Sequence, residues 1–241
     1  MQLKSNILMI RPKSFAFNPQ TAVNNYYQNK KDSLDSNEVS KKAIVEFDSL
    51  VLLLKNNGVN TIVFDDLIDL DVPDSVFPNN WASFHECGSV FLYPMFAENR
   101  RLERRQDILN SLKNKYLFDV KEVFDLSDYE TQGHYLEGTG SMVLDRKNKI
   151  CYAAISNRTN KKLVLDFCKK LCYLPVVFDA YQTVDDKREL IYHTNVMMCM
   201  ADKYVVICLN SIDDARQKEM LLTHFKQTNK EVIEISENQV E

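Results

Sequence analysis

The 241-residue sequence predicts an α/β fold built of repeated strand–strand–helix–strand modules, and three observations carry that expectation. Short, wholly apolar runs alternate with longer segments that have one apolar face at helical spacing. Three stretches share one layout: FPNNWASFHECGSVFL (77–92), YLEGTGSMVLDR (135–146) and YHTNVMMCMADKYVVICL (192–209). Each sets a polar residue after an aromatic or turn segment, and those residues, Asn80, Glu137 and His193, are separated by 57 and 56 residues. A fixed period of that size marks one supersecondary unit per repeat, stacked on its neighbours to bury a core.

In chain order, SNILMIR (5–11) reads as a strand that stops at Pro12. Lys13 to Asp35 is polar and Asn-rich, a loop of functional length. A helix follows at 40–58, with Ile44, Phe47, Leu50, Val51 and Leu54 inward and Gly58 as its stop, and then the strand VNTIVFDD. The second unit has a turn at FPNNW, the strand SVFLYP, one helix over NRRLERRQDILNSLKNKY with Leu102, Ile108, Leu109 and Leu112 inward, and the strand DVKEVFDL. The third reads YLEGTGSMVLD and ICYAAIS as strands, NRTNKKLVLDFCKKLCY as helix and PVVFDA as strand. The fourth has strands YHTNVMMCMA and KYVVICLN, a helix capped by Asp213 or Asp214, and the strand EVIEIS. We expect one domain of four modules, roughly 5–66, 73–127, 133–179 and 190–236, with sheets inside and helices outside around an axis.

A hydrophobic content of 45% supports a full core. The net charge of −4, with no basic stripe, argues against nucleic acid and toward a small-molecule ligand. No signal peptide opens the chain and no run is long enough to span a bilayer, so a cytoplasmic protein off the membrane is expected. The six cysteines show no metal-ligand spacing and read as reduced packing residues, Cys168 and Cys172 as an i, i+4 pair.

Repeats of this kind aim equivalent strand ends at one centre, so Asn80, Glu137 and His193 are expected to converge. The glycines of LEGTGS permit close backbone approach beside the carboxylate; the plain alternative is an exposed Glu137 at a hairpin entry. His193 alternates with Asn195 on a strand, which turns both to one pocket; the plain alternative is a structural histidine. An imidazole beside a carboxylate fits acid–base work. A nucleophile is harder to find, since Cys199, six residues along the strand from His193, would lie roughly 20 Å away and Cys87 has the wrong parity.

RPKSFAFNPQTAVNNYYQ, DSVFPNNWASFH, LYPMFAENRRLERRQDI, YLEGTGSMVLDR, AAISNRT and IYHTNVMMCMAD together resemble the amidinotransferase, or guanidino-group-modifying (pentein), superfamily of five-bladed α/β propellers. Within it the chain is most similar to the citrulline-utilisation hydrolases and, more distantly, to arginine deiminase. The resemblance implies that His193 is the catalytic acid–base and Glu137 its carboxylate partner. It implies substrate contacts from Asn79, Asn80 and Asn195, where arginine deiminases carry aspartates at the last two. Arg158 and Arg100 or Arg101 would meet an α-carboxylate, and the loop around Asn18 would cover the site. Two amides suit a neutral ureido group better than a cationic guanidinium, which favours citrulline, cleaved to ornithine, ammonia and carbon dioxide. No cofactor or metal is implied. Four of the family's five modules are present and the nucleophilic cysteine of the fifth is not, so a truncated chain, an exposed module face and a homo-oligomer are expected. The alternatives are a deiminase or dihydrolase on a guanidino substrate such as arginine, and a catalytically inactive amino-acid-binding remnant.

Overall fold

The structure, a computed structural model, describes residues 6–28, 35–67 and 70–240. The described residues divide into two compact units, one within residues 6–126 and one within residues 127–240.

In the first unit, β1 (Asn6–Arg11) pairs in parallel with β2 (Asn60–Asp65), Ile10 opposite Phe64. Between them lie the short helix α1 (Pro19–Ala22) and the long helix α2 (Ser36–Asn56), which ends just before Gly58 at φ +78°, as the sequence predicts. The inward face expected for α2 is a correction. Only Phe47 is buried, and Leu50 is 47% exposed, because apolar residues run round the helix at Val45, Leu50, Leu52 and Leu53 rather than along one stripe.

A 3-10 turn, Pro78–Asn80, leads into β3 (Ala82–Phe84), which pairs antiparallel with β4 (Ser89–Leu92). After α3 (Glu98–Arg101) and α4 (Gln106–Asn114), β5 (Glu122–Asp125) pairs in parallel with β4. The single helix expected over 99–116 is thus two. The break follows from three arginine contacts: Arg101 donates to the carbonyls of Met95 and Phe96, and Arg104 to that of Tyr93, which holds 102–105 against the loop after β4. Leu102, expected inward, is left exposed, whereas Ile108, Leu109 and Leu112 pack as predicted on Ile10, Ile62, Trp81, Val90 and Leu92.

The second unit opens with a 3-10 segment, Ser127–Gln132, and continues through α5 (Gly138–Ser141), β6 (Val143–Asp145), β7 (Ile150–Ala154), α6 (Lys161–Leu171) and β8 (Leu174–Phe178). The hairpin of β9 (Tyr181–Val184) and β10 (Lys187–Leu190), unforeseen in the sequence, connects to α7 (Thr194–Met197), β11 (Met198–Met200), β12 (Tyr204–Ile207), α8 (Ala215–Gln227), β13 (Glu231–Glu234) and α9 (Glu237–Val240). The sheets β6–β7–β8 and β11–β12–β13 repeat the order of β3–β4–β5, an antiparallel step and then a parallel one.

Caps set the helix starts. Asn160 Oδ1 accepts from the N–H groups of Lys162 and Leu163, so α6 begins after the NRT segment expected to be helical and leaves Arg158 on a loop. Asp214 caps α8 in the same way. Cys172 stops α6 at φ +55° and is exposed while Cys168 is buried, so the two do not pack as a pair. The core joins the all-buried β7 to β11, β12 and α8 through Tyr152, Val205, Ile207, Leu221 and Phe225. Among the described residues no helix is long and apolar enough to cross a membrane, and no cluster of His, Cys, Asp and Glu could hold a metal ion.

Candidate active site

The two stretches expected to enter as plain strands, 135–146 and 192–200, each make one short helical turn first, α5 and α7. The residues before those turns are Glu137 and His193. Gly138 takes φ +47° directly after Glu137, a conformation costly for a side-chain-bearing residue, and so folds the chain back beneath the carboxylate. The Glu137 carbonyl then accepts from the N–H groups of Gly140 and Ser141 at 3.0 and 3.1 Å. Ser141 Oγ accepts the Glu137 N–H at 2.9 Å and donates to the Arg158 carbonyl at 2.8 Å, which fixes the carboxylate's backbone to the loop that carries Arg158.

His193 is held from the other side. The hydroxyl of Thr194 donates to the Ser141 carbonyl and accepts from the Ala154 N–H at 2.8 Å, so α7 is pinned at once to α5 and to the end of β7. With both backbones fixed, His193 Nε2 meets Glu137 Oε2 at 2.7 Å. Glu137 is 0% exposed and His193 5%, so the carboxylate is not the exposed hairpin residue of the plain alternative. A hydrogen bond of that length in a water-poor setting fixes the ring's orientation and steadies the imidazolium once a proton arrives.

Arg158 completes the cluster. Its Nη1 lies 3.5 Å from the same Oε2 of Glu137, its guanidinium carbon lies 4.6 Å from the centre of the Tyr192 ring, and it is 1% exposed. Tyr192 in turn sits 4.6 Å, centre to centre, from the His193 ring at 44°. Ser156 ties the two sides together, donating from Oγ to the Tyr192 carbonyl at 2.7 Å and accepting the Arg158 N–H at 3.1 Å. Neither Tyr192 nor Ser156 stood out in the sequence; the adjacency of Tyr192 to His193 was the signal available for the first.

Asn195 is on the exposed side of α7, not beside His193 on a strand, because a helical turn rotates successive residues by about 100° where a strand would bring alternate ones to one face.

In the first unit the remaining candidates form a polar cluster of their own. Asn80, the last residue of its 3-10 turn, stands two places before its strand, whereas Glu137 and His193 precede their turns; the nearly equal sequence spacing therefore does not give Asn80 the same place in its module. Asn80 Oδ1 accepts from Arg100 Nη1 at 3.1 Å. Arg100 makes a buried two-pronged pair with Glu103, at 2.8 and 2.9 Å, so its charge is already met inside the unit. Asn18 donates to Asp74 at 2.8 Å and exchanges amide hydrogen bonds with Asn99 at 3.0 and 3.3 Å. Arg101 is half-buried on loop carbonyls, and Asn79 is half-buried within the turn.

The chain as a whole resembles known proteins. A profile of the eukaryotic N,N dimethylarginine dimethylhydrolase family matches residues 11–241. The chain belongs to that family. No curated protein sequence matches it. Among solved structures, the N-terminal domain of ArgZ, an arginine dihydrolase from the ornithine–ammonia cycle in cyanobacteria, bound to substrate, is similar at 17% identity and a TM-score of 0.64, over 95% of this chain and 75% of that one. Unliganded AgrE is similar at 18% identity and a TM-score of 0.69, over 98% of this chain. A dimethylarginine dimethylaminohydrolase adduct with 4-chloro-2-hydroxymethylpyridine is similar at 14% and 0.62, over 98% of this chain and 77% of that one. The dimethylhydrolase family member described here spans 30% of full-length ArgZ and of AgrE. At these identities the likeness is one of fold, and that fold is the pentein fold.

Proposed function

We propose that this chain hydrolyses carbon–nitrogen bonds at the central carbon of an amino acid's ureido group, converting citrulline and one water to ornithine, ammonia and carbon dioxide. The single observation that carries the reading is the buried hydrogen bond, 2.7 Å long, between His193 and Glu137. In this proposal a cysteine thiolate, which the resemblance places in a fifth module, attacks the ureido carbon; His193 gives the leaving nitrogen its proton and then takes one from the water that hydrolyses the covalent intermediate, while Glu137 holds the ring and balances its charge. The substrate contacts assigned by resemblance to Asn18, Asn79, Asn80, Asn195, Arg101, Arg100 and Arg158 belong to the same proposal. The ureido choice rests on the amides at Asn80 and Asn195, where arginine deiminases carry aspartates, since an amide both donates and accepts as a neutral ureido group does. The propeller expected from the resemblance is part of the proposal too, supported by the strand order that three sheets share.

A second reading, a dihydrolase or deiminase on a guanidino substrate, is favoured by the family and by two similar structures, ArgZ bound to substrate and AgrE with L-arginine. The test incubates the protein separately with citrulline, arginine and N,N-dimethylarginine and follows ornithine, citrulline, ammonia and dimethylamine by mass spectrometry. Ornithine from citrulline, lost in His193→Ala, supports the first reading. Turnover of arginine or its dimethylated form without turnover of citrulline replaces it with the second, and no product from any of the three overturns both.

A further inference from the structure

The resemblance gives Arg158 to the substrate's α-carboxylate, and its surroundings give it a second task. The side chain is closed to solvent, one edge is against Glu137 Oε2 at 3.5 Å, and one face is on the Tyr192 ring at 4.6 Å. The ring it lies on packs in turn on His193, and the backbones of Arg158 and Tyr192 meet at one hydroxyl, that of Ser156. Glu137, His193, Tyr192 and Arg158 therefore form a closed circuit in which each touches two of the others.

We propose that Arg158 is a positioning residue for the acid–base pair: it keeps Glu137 ionised and, as a fixed cation beside the carboxylate oxygen that meets the imidazole, sets the pH at which His193 gains its proton. Two effects of opposite sign meet at the histidine. The carboxylate at 2.7 Å favours the protonated ring, and the guanidinium 3.5 Å from the same oxygen opposes it. Arg158 thus draws the histidine back toward a form that can still accept a proton. A guanidinium suits the task because it stays charged throughout the working range and its flat face stacks on an aromatic ring while its edge meets a carboxylate. Glu137 meets His193 directly, Arg158 acts on it through Glu137, and Tyr192 is a titratable ring packed beside it.

The inference rests on His193 and Glu137 acting as the acid–base pair, but its test needs no substrate, so its failure is separable from failure of the proposed reaction. The imidazole of His193 is titrated by NMR in the ligand-free protein, with His193→Ala to assign its signal. Arg158→Gln removes the opposing cation, and the titration midpoint is expected to rise by about one pH unit. Arg158→Lys keeps the charge and is expected to restore most of the parent midpoint, which a merely structural role would not do. An unchanged or lowered midpoint in Arg158→Gln, or equal shifts in the Gln and Lys variants, overturns the proposal. Should Arg158→Gln fail to fold, Tyr192→Leu, which removes the face that holds the guanidinium, carries the test: an upward shift supports the proposal and none overturns it.

Discussion

His193 Nε2 stands 2.7 Å from Glu137 Oε2 across 56 residues of sequence, and neither side chain is open to bulk water. The contact exists because two equivalent turns, α5 and α7, are pinned to each other through Thr194 and the Ser141 carbonyl. Loss of the ring in His193→Ala is expected to lower turnover of the preferred substrate by about 10²–10⁴-fold, the usual worth of a positioned acid–base, with ligand affinity changed far less. Steady-state kinetics and calorimetry check it; equal losses in turnover and affinity would assign His193 to binding instead.

Glu137 carries a structural load as well. Replacing it with Gln removes the carboxylate charge 3.5 Å from Arg158, which is buried beside Tyr192. The expected cost is about 3 kcal/mol of unfolding free energy, read from urea denaturation. A stability equal to the parent's would mean that the guanidinium finds compensation elsewhere.

Lys230 and Asp145 make the same kind of demand far from the candidate site. Their charged groups are 3.2 Å apart and wholly buried, and the ammonium also donates to the carbonyls of Ala201 and Asp202, so the pair joins the end of β6 to the turn before β12. Lys230→Met is expected to destabilise by about 3–5 kcal/mol because it leaves the buried carboxylate without its counter-charge, held by the two N–H donors of Asn148, whereas Lys230→Met with Asp145→Leu removes both charges and should recover much of that loss. Denaturation of the single and double variants measures the difference.

Much of this was visible before any coordinates. The ICYAA of the expected strand ICYAAIS is the fully buried β7, Gly58 ends α2, and Asp214 caps α8, because each signal is local. What the sequence hid depends on distant contacts or on segments too short to show a period. GTGS and TNVM span a single helical turn, so no periodicity distinguishes them from the strands they precede. The break after α3 is made by arginine side chains reaching carbonyls of residues 93–96. Repeat spacing singled out Glu137 and His193, yet Ser156 acts on a carbonyl 36 residues away, which no local pattern announces.

The β9–β10 hairpin was missed for a different reason. Its turn is Asp185-Asp186, at φ +47° and +62°, with Val184 paired to Lys187; this is the conformation that Asn-Gly favours and signals in a sequence. Asp186→Gly relieves the side chain of a left-handed conformation and is expected to stabilise the protein by about 0.5–1 kcal/mol, measured in urea. A loss of stability would show that the Asp186 side chain contributes a contact worth more than the backbone strain.

At the surface, the Arg105 guanidinium holds the Asp107 carboxyl below the usual carboxylate range by donating to it at 2.6 and 3.1 Å. The folded state therefore favours the ionised acid, so its contribution is present above the unfolded carboxylate's titration and is lost as the pH falls through the folded one. The Asp107 side chain is 61% exposed, and solvent screening limits the pair to less than about 1 kcal/mol. Asp107→Asn should be less stable than the parent at pH 7 by that modest amount. The gap should close as the pH falls below about 4 and shrink at 1 M salt. Because Asp107 also lies in the first turn of α4, where a negative charge is favoured by the helix dipole, part of the difference should survive Arg105→Met; denaturation of the two single variants and the double variant separates the ion pair from the dipole. A difference that widens toward acid would contradict the assigned direction, since a protonated Asp107 has nothing left to lose on becoming Asn.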